Sequence, residues 1–219
     1  MKLQYERHLP HQIPPGFPIF LTWNLKGALP DEMVDHLRHE RKRLESQPRR
    51  ADESDADRKI RHDKLLFAMS DRYLDHASSG PMHIQDPRAA LIVEDSIVFG
   101  VPERYSLFAW TVLGNHVHIL LTPRWGLKKV TQGIKGYTAY EINGVQDARG
   151  RVFWQDESYD HWARDEEEIV RIIEYIANNP VKAGLCNRPE DWPWSSVRLR
   201  AVWPVGQAFQ PDMRPQRFP

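Results

Sequence analysis

The stretch GNHVHILLTP, residues 114–123, places two histidines one residue apart inside a run of apolar residues. Side chains alternate between two faces along a β-strand, so His116 and His118 share one face while Val117 lies on the other. Two neighbouring imidazoles on a sheet face can bind a divalent metal. The pattern is also compatible with two partly exposed polar residues on an open face, so other parts of the chain must decide.

The composition is that of an ordinary globular protein. The 219 residues are enough for one sizeable core. The single cysteine, Cys186, excludes an intrachain disulfide, and the first residues lack the apolar run of a signal peptide. We therefore expect a cytoplasmic protein. The formal net charge of +0 argues mildly against a large basic surface for nucleic acid, although basic residues outnumber acidic ones between positions 111 and 151.

The order of the predicted elements defines a fold class. Strands are predicted at IFLTWNL, at YSLFAWTVL, at the histidine stretch and near YDHWA, with helical periods between them. This order predicts an α+β protein with a ferredoxin-like β-α-β-β-α-β antiparallel sheet and added helices. The histidine strand should be central, with one sheet face under helices and the other open. We expect one domain over residues 15–200, a charged helical insertion at about 31–80, and a Pro-rich tail at 201–219.

The last predicted helix, RDEEEIVRIIEYIANNP, carries a second candidate pair. Tyr175 and Asn179 are four residues apart, so they lie on the same face of the helix, at the edge of its isoleucine stripe. A tyrosine hydroxyl beside a metal-bound phosphate is a chemically sensible nucleophile. The alternative is that Tyr175 packs against the core and Asn179 caps the helix before Pro180.

A series of motifs in fixed order is more specific than either pair. The chain contains GNHVHILLTP, then IKGYTAY, then FWQDESYDHWARDEEEIVRIIEYIANNPVKAGL, then DWPWSS. Over residues from about 15 to about 200 this series resembles the REP-associated tyrosine transposases. These belong to the HUH superfamily of single-stranded DNA nucleases and transposases, in which two histidines flank one hydrophobic residue, here His116-Val117-His118.

The resemblance implies a metal-dependent enzyme that cuts and rejoins single-stranded DNA at REP-like hairpins. It implies that Tyr175 is the nucleophile, forming a 5′-phosphotyrosine, and that His116, His118 and Asn179 bind a divalent cation, Mg²⁺ or Mn²⁺. Other tyrosines compete for the role of nucleophile. Among them Tyr159 is expected to serve in packing or to face DNA; the others are Tyr137 and Tyr140.

Residues that follow the histidine strand are candidates for DNA contacts. A tryptophan exposed in a loop can stack on an unpaired base, although Trp125 is at least as compatible with capping the core. Lysine and arginine side chains can contact the phosphate backbone; the candidates are Arg124, Lys128, Lys129 and Lys135. The expected partner is single-stranded DNA with a hairpin, and neither a membrane nor a nucleotide cofactor is expected. Both a monomer and a dimer remain open.

Two other functions compete with this one. A non-catalytic nucleic-acid-binding module can use the same fold, but it needs no combination of two histidines with Tyr175 and Asn179. A small hydrolase with a different use for the metal would need a further acidic ligand. The histidine strand supplies none nearby.

Overall fold

A computed structural model of the protein describes residues 16–77 and 79–199, so the expected tail at 201–219 lies outside the described residues. Its four strands are β1 (Ile19–Asn24), β2 (Tyr105–Val112), β3 (His116–Pro123) and β4 (Tyr159–Trp162). They form one antiparallel sheet in the order β2-β3-β1-β4. This is the strand order of a ferredoxin-like sheet, so the predicted fold class is confirmed. The histidines lie on an inner strand, as expected.

Three of the five α-helices in the described part of the chain begin at a residue whose side chain caps the helix. Ser54, Asp86 and Asp165 each accept a hydrogen bond from a backbone N–H of the helix that follows, which satisfies one of its free donors. Pro87 occupies the favoured first position of its helix. Among the described residues, no helix is both long and apolar enough to cross a membrane. The helices are α1 (Asp31–Ser46), α2 (Asp55–Asp75), α3 (Pro87–Phe99), α4 (Leu127–Val145) and α5 (Glu166–Lys182).

The sheet separates two apolar clusters because its side chains alternate. Val117, Ile119 and Leu121 of β3 belong to the larger cluster, which includes buried residues of α3 and α4. On the other face, Leu120 packs with Ile176 of α5 in a smaller cluster. The histidine face is therefore the α5 face, which brings the last helix over the two imidazoles.

The prediction that one face of the sheet is open is wrong. Both histidines are 0% exposed, because α5 and α2 together cover this side of the sheet. Phe67 of α2 stacks on Tyr159 of β4 at a ring-centroid distance of 4.1 Å. The segment expected to be a charged insertion thus contributes apolar side chains as well, and it closes a face that a minimal ferredoxin-like sheet leaves exposed.

The helices α1 and α2 lie in the segment expected to be a helical insertion. Arg58 of α2 donates to the carbonyl oxygens of Glu45 and Gln47, at 2.6 Å each, and so binds the end of α1. Lys64 of α2 forms an ion pair with Glu168 of α5 at 2.7 Å. α2 is therefore joined to both α1 and α5. The boundaries of the domain at 15 and 200 stay a prediction.

The segment that contains DWPWSS runs along the outer strand β2. The backbone N–H of Val112 donates to the Trp194 carbonyl oxygen at 2.9 Å, and the Trp192 indole donates to the Val112 carbonyl oxygen at 3.0 Å. The hydroxyl of Ser196 accepts from the Trp110 N–H at 3.2 Å. These contacts pair backbone groups that would otherwise be free at the edge of the sheet.

Candidate active site

His116 and His118 point into one enclosed site. Their Nε2 atoms are 3.1 Å apart, and the two rings meet nearly at right angles. Phe20, on the neighbouring strand, stacks on the His118 ring at a centroid distance of 5.6 Å. Burial lowers the pKa of both imidazoles to about 3, so both rings are neutral at ordinary pH.

Hydrogen bonds behind the rings determine which nitrogen faces the site. The Asn115 amide donates to the Leu74 carbonyl oxygen at 3.0 Å, which turns its oxygen toward Nδ1 of His116 at 2.6 Å. Nδ1 of His116 therefore carries the proton, and Nε2 presents a lone pair to the site. Nδ1 of His118 bonds to the Thr22 hydroxyl at 2.7 Å. Such support behind an imidazole is typical of metal-binding histidines.

Tyr175 and Asn179 reach the same site from α5. The Tyr175 ring lies 5.7 Å from the His118 ring, and its hydroxyl donates a hydrogen bond to Asp71. Asn179 is fully buried, and its amide donates to Asp75 at 3.0 Å. The structure thus brings together the four residues that the sequence singled out as nucleophile and ligands. Their roles stay predictions.

Two carboxylates from α2 complete the cluster, and sequence analysis missed both. The nearer oxygen of Asp71 lies 3.3 Å from Nε2 of His118 and 3.9 Å from Nε2 of His116. An oxygen of Asp75 lies 3.5 Å from Nε2 of His116. One signal could have revealed Asp71: it is an acidic residue on the apolar face of a predicted helix, four positions after Phe67 and three before Leu74.

The donor set fits a divalent cation. One ligand atom each from Asp71, His116 and His118 lies within 4.8 Å of the others. Ligands about 2.1 Å from a shared ion are separated by about 3.0–3.4 Å, which agrees with the two shortest distances in this cluster. Two buried oxygens, Oδ1 of Asp71 and Oδ1 of Asn179, have no hydrogen-bond partner among the described residues. A cation would satisfy such oxygens together with the Nε2 atoms of the two imidazoles.

The electrostatics of the site also favour a cation. Burial raises the pKa of the Asp71 carboxyl, although His116 and the Tyr175 hydroxyl counteract that rise. Burial and the neighbouring Asp71 raise the pKa of Asp75 to about 7. Burial and Asp71 also raise the pKa of the Tyr175 hydroxyl. Negative charge is therefore disfavoured here unless a positive ion compensates it, and a bound cation would reverse these shifts.

The other tyrosines occupy different positions. Tyr159 packs between aromatic rings on the histidine face, and burial raises the pKa of its hydroxyl. Tyr137 and Tyr140 are 55% and 64% exposed on α4, which lies on the opposite face of the sheet. They are therefore separated from the histidines by the sheet itself. Among the tyrosines that the structure describes, only Tyr175 donates its hydroxyl to a group that also faces both histidines.

The candidate DNA-binding residues lie at the far end of β3. Eight residues separate His116 from Arg124, or about 26 Å of extended chain. Trp125 is 41% exposed, and both Lys129 and Arg104 lie against its ring, at 4.4 and 5.2 Å from the centroid. Arg124, Lys128 and Lys129 are all exposed. The cluster combines an accessible aromatic ring with positive charge.

Lys135 is engaged differently. Its amino group donates to the carbonyl oxygens of Gln155 and Asp156 at 2.6 and 3.1 Å, which fixes the loop before β4.

One basic residue lies at the site although the sequence analysis did not predict it there. Lys182, exposed at the end of α5, places Nζ 4.5 Å above the Tyr175 ring. Tyr175 and Asp75 are only partly buried, so solvent approaches the site from their side.

The chain is similar to known transposases over part of its length. Residues 102–179, which include β2, β3 and most of α5, match the family described as "Transposase IS200 like". A REP-associated tyrosine transposase of Escherichia coli K12 is 26% identical over 108 residues, which is 48% of this chain and 63% of that protein. A Haemophilus influenzae protein provisionally named a REP-associated tyrosine transposase is 32% identical over 72 residues, 32% of this chain and 41% of that protein.

A solved structure of a REP-associated tyrosine transposase bound to a REP hairpin aligns with 94% of this chain and 93% of its own, at 18% identity and a TM-score of 0.46. The family match and the two relatives confirm the resemblance seen in the motifs. The chain spans less than two thirds of the length of either relative. Residues 102–179 contain His116, His118, Tyr175 and Asn179, but neither Asp71 nor Asp75.

Proposed function

We propose that this chain, which resembles the REP-associated tyrosine transposases, is a single-stranded DNA endonuclease and strand transferase. It acts on REP-like hairpins through a 5′-phosphotyrosine intermediate and serves DNA transposition or REP mobilisation. We place it in the cytoplasm. The observation that carries the proposal is the convergence of the Tyr175 hydroxyl with two neutral imidazoles whose Nε2 atoms lie 3.1 Å apart.

Tyr175 supplies the nucleophilic oxygen. This oxygen attacks the scissile phosphorus in line with the 3′-oxygen that leaves, and an O–P bond to tyrosine replaces the bond between phosphorus and the 3′-oxygen. The phenol proton is lost, and the leaving 3′-oxygen gains a proton. A 3′-hydroxyl can later attack the phosphotyrosine and reverse these changes, so joining needs no nucleotide cofactor.

His116, His118 and Asn179 are the proposed ligands for the cation. A divalent cation bound there would polarise the scissile phosphate and offset its charge in the transition state. Imidazole ligands suit Mn²⁺ better than Mg²⁺, so we expect Mn²⁺ to support the stronger activity in vitro. Asn115 and Thr22 fix the two rings from behind, which keeps both Nε2 atoms directed into the site.

The cluster around Trp125 is the proposed contact for the DNA outside the cleavage site. Its ring is 41% exposed and could stack on a base if Lys129 or Arg104 moves aside, and Arg124, Lys128 and Lys129 add charge for the phosphate backbone. Because this cluster and the histidines lie at opposite ends of β3, one DNA molecule would have to extend along the protein to reach both. A hairpin with a single-stranded extension has such a shape.

The test is formation of a covalent adduct. Wild-type protein is incubated with Mn²⁺ and a REP-like hairpin labelled on the 3′ side of the cleavage site, because tyrosine keeps the 5′-phosphate of that fragment. A labelled band that migrates slowly on a denaturing gel is the expected result. A protein that binds the hairpin and forms no adduct on any REP-like sequence would instead be a non-catalytic nucleic-acid-binding module.

A further inference from the structure

Asp71 contacts both the proposed nucleophile, Tyr175, and the two histidines. One of its oxygens accepts the hydrogen bond from the Tyr175 hydroxyl. The other oxygen faces Nε2 of His118 at 3.3 Å and Nε2 of His116 at 3.9 Å. A single carboxylate therefore bridges the nucleophile and the two imidazoles. Among the described residues, no other carboxylate joins these histidines in a group that could hold a metal ion.

We propose that Asp71 is a further catalytic residue, in which one carboxylate oxygen is a ligand for the cation shared with His116 and His118 while the other holds the Tyr175 hydroxyl beside it. This proposal rests on the proposed function. It adds to the site a residue that lies outside the part of the chain that matches the transposase family. The inserted helix α2 would then be part of the active site rather than an attachment to it.

The state of the carboxylate oxygen supports a ligand role. The side chain of Asp71 is 3% exposed, and Oδ1 accepts no hydrogen bond from any described residue. A buried carboxylate oxygen without a donor is strongly unfavourable, because it has lost its hydration and gained nothing in exchange. Across the site this oxygen faces Nε2 of His118 at 3.3 Å and Nε2 of His116 at 3.9 Å. A cation between them would satisfy all three atoms.

The position of Asp71 is fixed by its own helix. Leu74, one turn later, is buried in the main core, and its carbonyl oxygen binds the Asn115 amide that orients His116. Phe67, one turn earlier, packs on Tyr159 and Phe20. Helix α2 is thus held on both sides of Asp71. The carboxylate does not depend on a mobile surface side chain to reach the site.

A second carboxylate on the same face strengthens the arrangement. Asp75 follows Asp71 by one helical turn and accepts the hydrogen bond from the Asn179 amide at 3.0 Å. Asp71 and Asp75 therefore hold Tyr175 and Asn179 respectively, in the same order along the two helices. Two successive hydrogen bonds therefore join α2 to α5 at this point, which indicates a specific arrangement of the two helices.

The first measurement is metal binding without DNA. Mn²⁺ is titrated by calorimetry into the wild-type chain, Asp71→Asn and Asp63→Asn. Asparagine preserves the shape of Asp71 and removes its charge, and we expect the Mn²⁺ affinity to fall at least tenfold. Asp63 lies about two turns before Asp71 on the same helix, pairs with Arg41 and is not part of the group that could hold a metal ion, so its variant should stay within twofold of wild type. Equal affinity in wild type and Asp71→Asn would overturn the proposal.

The second variant, Asp71→Glu, distinguishes loss of the carboxylate from a folding defect. It keeps the carboxylate but moves it by one methylene, so its Mn²⁺ affinity should lie between those of wild type and Asp71→Asn. Circular dichroism melting confirms that each variant is folded. Weaker binding by the glutamate variant than by a folded asparagine variant would show that the carboxylate charge is not what binds the ion, and this would also overturn the proposal.

The third measurement is the rate of adduct formation at saturating hairpin. Asp71→Asn should bind the hairpin within twofold of wild type and form the adduct at least one hundred times more slowly. A faster adduct would mean that Asp71 blocks the phosphate site, which contradicts the proposal. If wild type forms no adduct on any hairpin, the proposed function fails. The loss of Mn²⁺ affinity in Asp71→Asn then still tests the ligand role by itself.

Discussion

The side-chain amide of Asn115 donates a hydrogen bond to the carbonyl oxygen of Leu74, 3.0 Å away, and thereby joins the start of β3 to helix α2. Because this bond uses the amide nitrogen, the amide oxygen is left to accept from Nδ1 of His116. A residue that belongs to neither the nucleophile nor the ligands thus determines which imidazole nitrogen faces the proposed metal.

Replacement of Asn115 by alanine should weaken Mn²⁺ binding about ten- to one hundredfold, since His116 loses the acceptor that fixes its protonated nitrogen. Calorimetric titration of Mn²⁺ measures this. Asn178→Ala is the matched control, because Asn178 is exposed on α5 and bonds only to Glu174 of its own helix. Unchanged Mn²⁺ affinity in Asn115→Ala would show that the ring needs no such support.

Tyr175→Phe should fold, bind the hairpin and form no adduct. The substitution removes only the hydroxyl and keeps the packing of the ring against Phe20. Loss of a nucleophile should reduce the rate by several orders of magnitude. Tyr159→Phe is the control, and it should retain cleavage with at most a modest decrease, because that ring packs on Phe67. An adduct from Tyr175→Phe would assign the nucleophile to another residue.

The stability of the protein should depend on Glu168 at acidic pH. Burial by itself would raise the pKa of this carboxyl, but hydrogen bonds from Lys64 and His161 outweigh burial and lower the pKa from 4.5 to about 2. A carboxyl with a lowered pKa in the folded state stabilises the fold above its unfolded pKa. This stabilisation is lost as the pH falls from 4.5 toward about 2.

Glu168→Gln should therefore lower the free energy of unfolding at pH 7 by on the order of 2 kcal/mol, discounted for the partly exposed Lys64. The difference from wild type should shrink at about pH 3, inside that window. Urea unfolding at both pH values measures it. Glu167→Gln, a neighbouring change at an exposed position, should have little effect at either pH. A wild-type and Glu168→Gln difference that is independent of pH would contradict the assignment.

Removal of two charges beside Trp125 should weaken hairpin binding. The double variant Lys128→Gln/Lys129→Gln is expected to lower the affinity for a single-stranded hairpin and to reduce the slope of log affinity against log salt by about 1.4–2. Lys42→Gln/Arg50→Gln removes two charges from the α1 end and should leave both quantities near wild type.

We also expect the hairpin to bind more tightly than a blunt duplex. Tighter binding of the duplex would contradict the proposed substrate.

The prediction that Lys135 contacts DNA can be tested separately from its structural role. Its amino group is bonded to the carbonyl oxygens of Gln155 and Asp156, so Lys135→Met should destabilise the fold by on the order of 1–2 kcal/mol. Thermal unfolding measures this change, and hairpin affinity is measured on the same sample. A loss of hairpin affinity without loss of stability would restore Lys135 as a DNA contact.

Local patterns were sufficient to predict the strand and the last helix. The alternation around Val117 assigned His116 and His118 to one sheet face, and the spacing of Tyr175 and Asn179 assigned them to one helix face. Both inferences use periodicities that operate within a few residues. The fold class followed from the order of such elements, and the observed sheet has the strand order of that class.

The contribution of α2 could not be predicted in the same way. Asp71 precedes His116 by 45 positions, and their approach depends on how helix α2 docks on the sheet. The charged residues that dominate α1 and α2 predicted a charged helical insertion, whereas the few apolar residues on one side, Phe67 and Leu74 among them, determined where it packs. The same docking explains why the histidine face is closed and not open.

The segment that pairs with Val112 has a consequence for self-association. An outer strand with free N–H and C=O groups can recruit a strand from another molecule and extend the sheet across copies. At the end of β2 nearest the histidines, Trp194 pairs with the N–H of Val112 and the Trp192 indole pairs with its C=O. At the opposite edge, β4 is only four residues long. Growth of the sheet by strand addition is thus opposed at both edges. A chain truncated before Trp192 would expose this part of β2 and should aggregate during refolding, where the full chain stays dispersed.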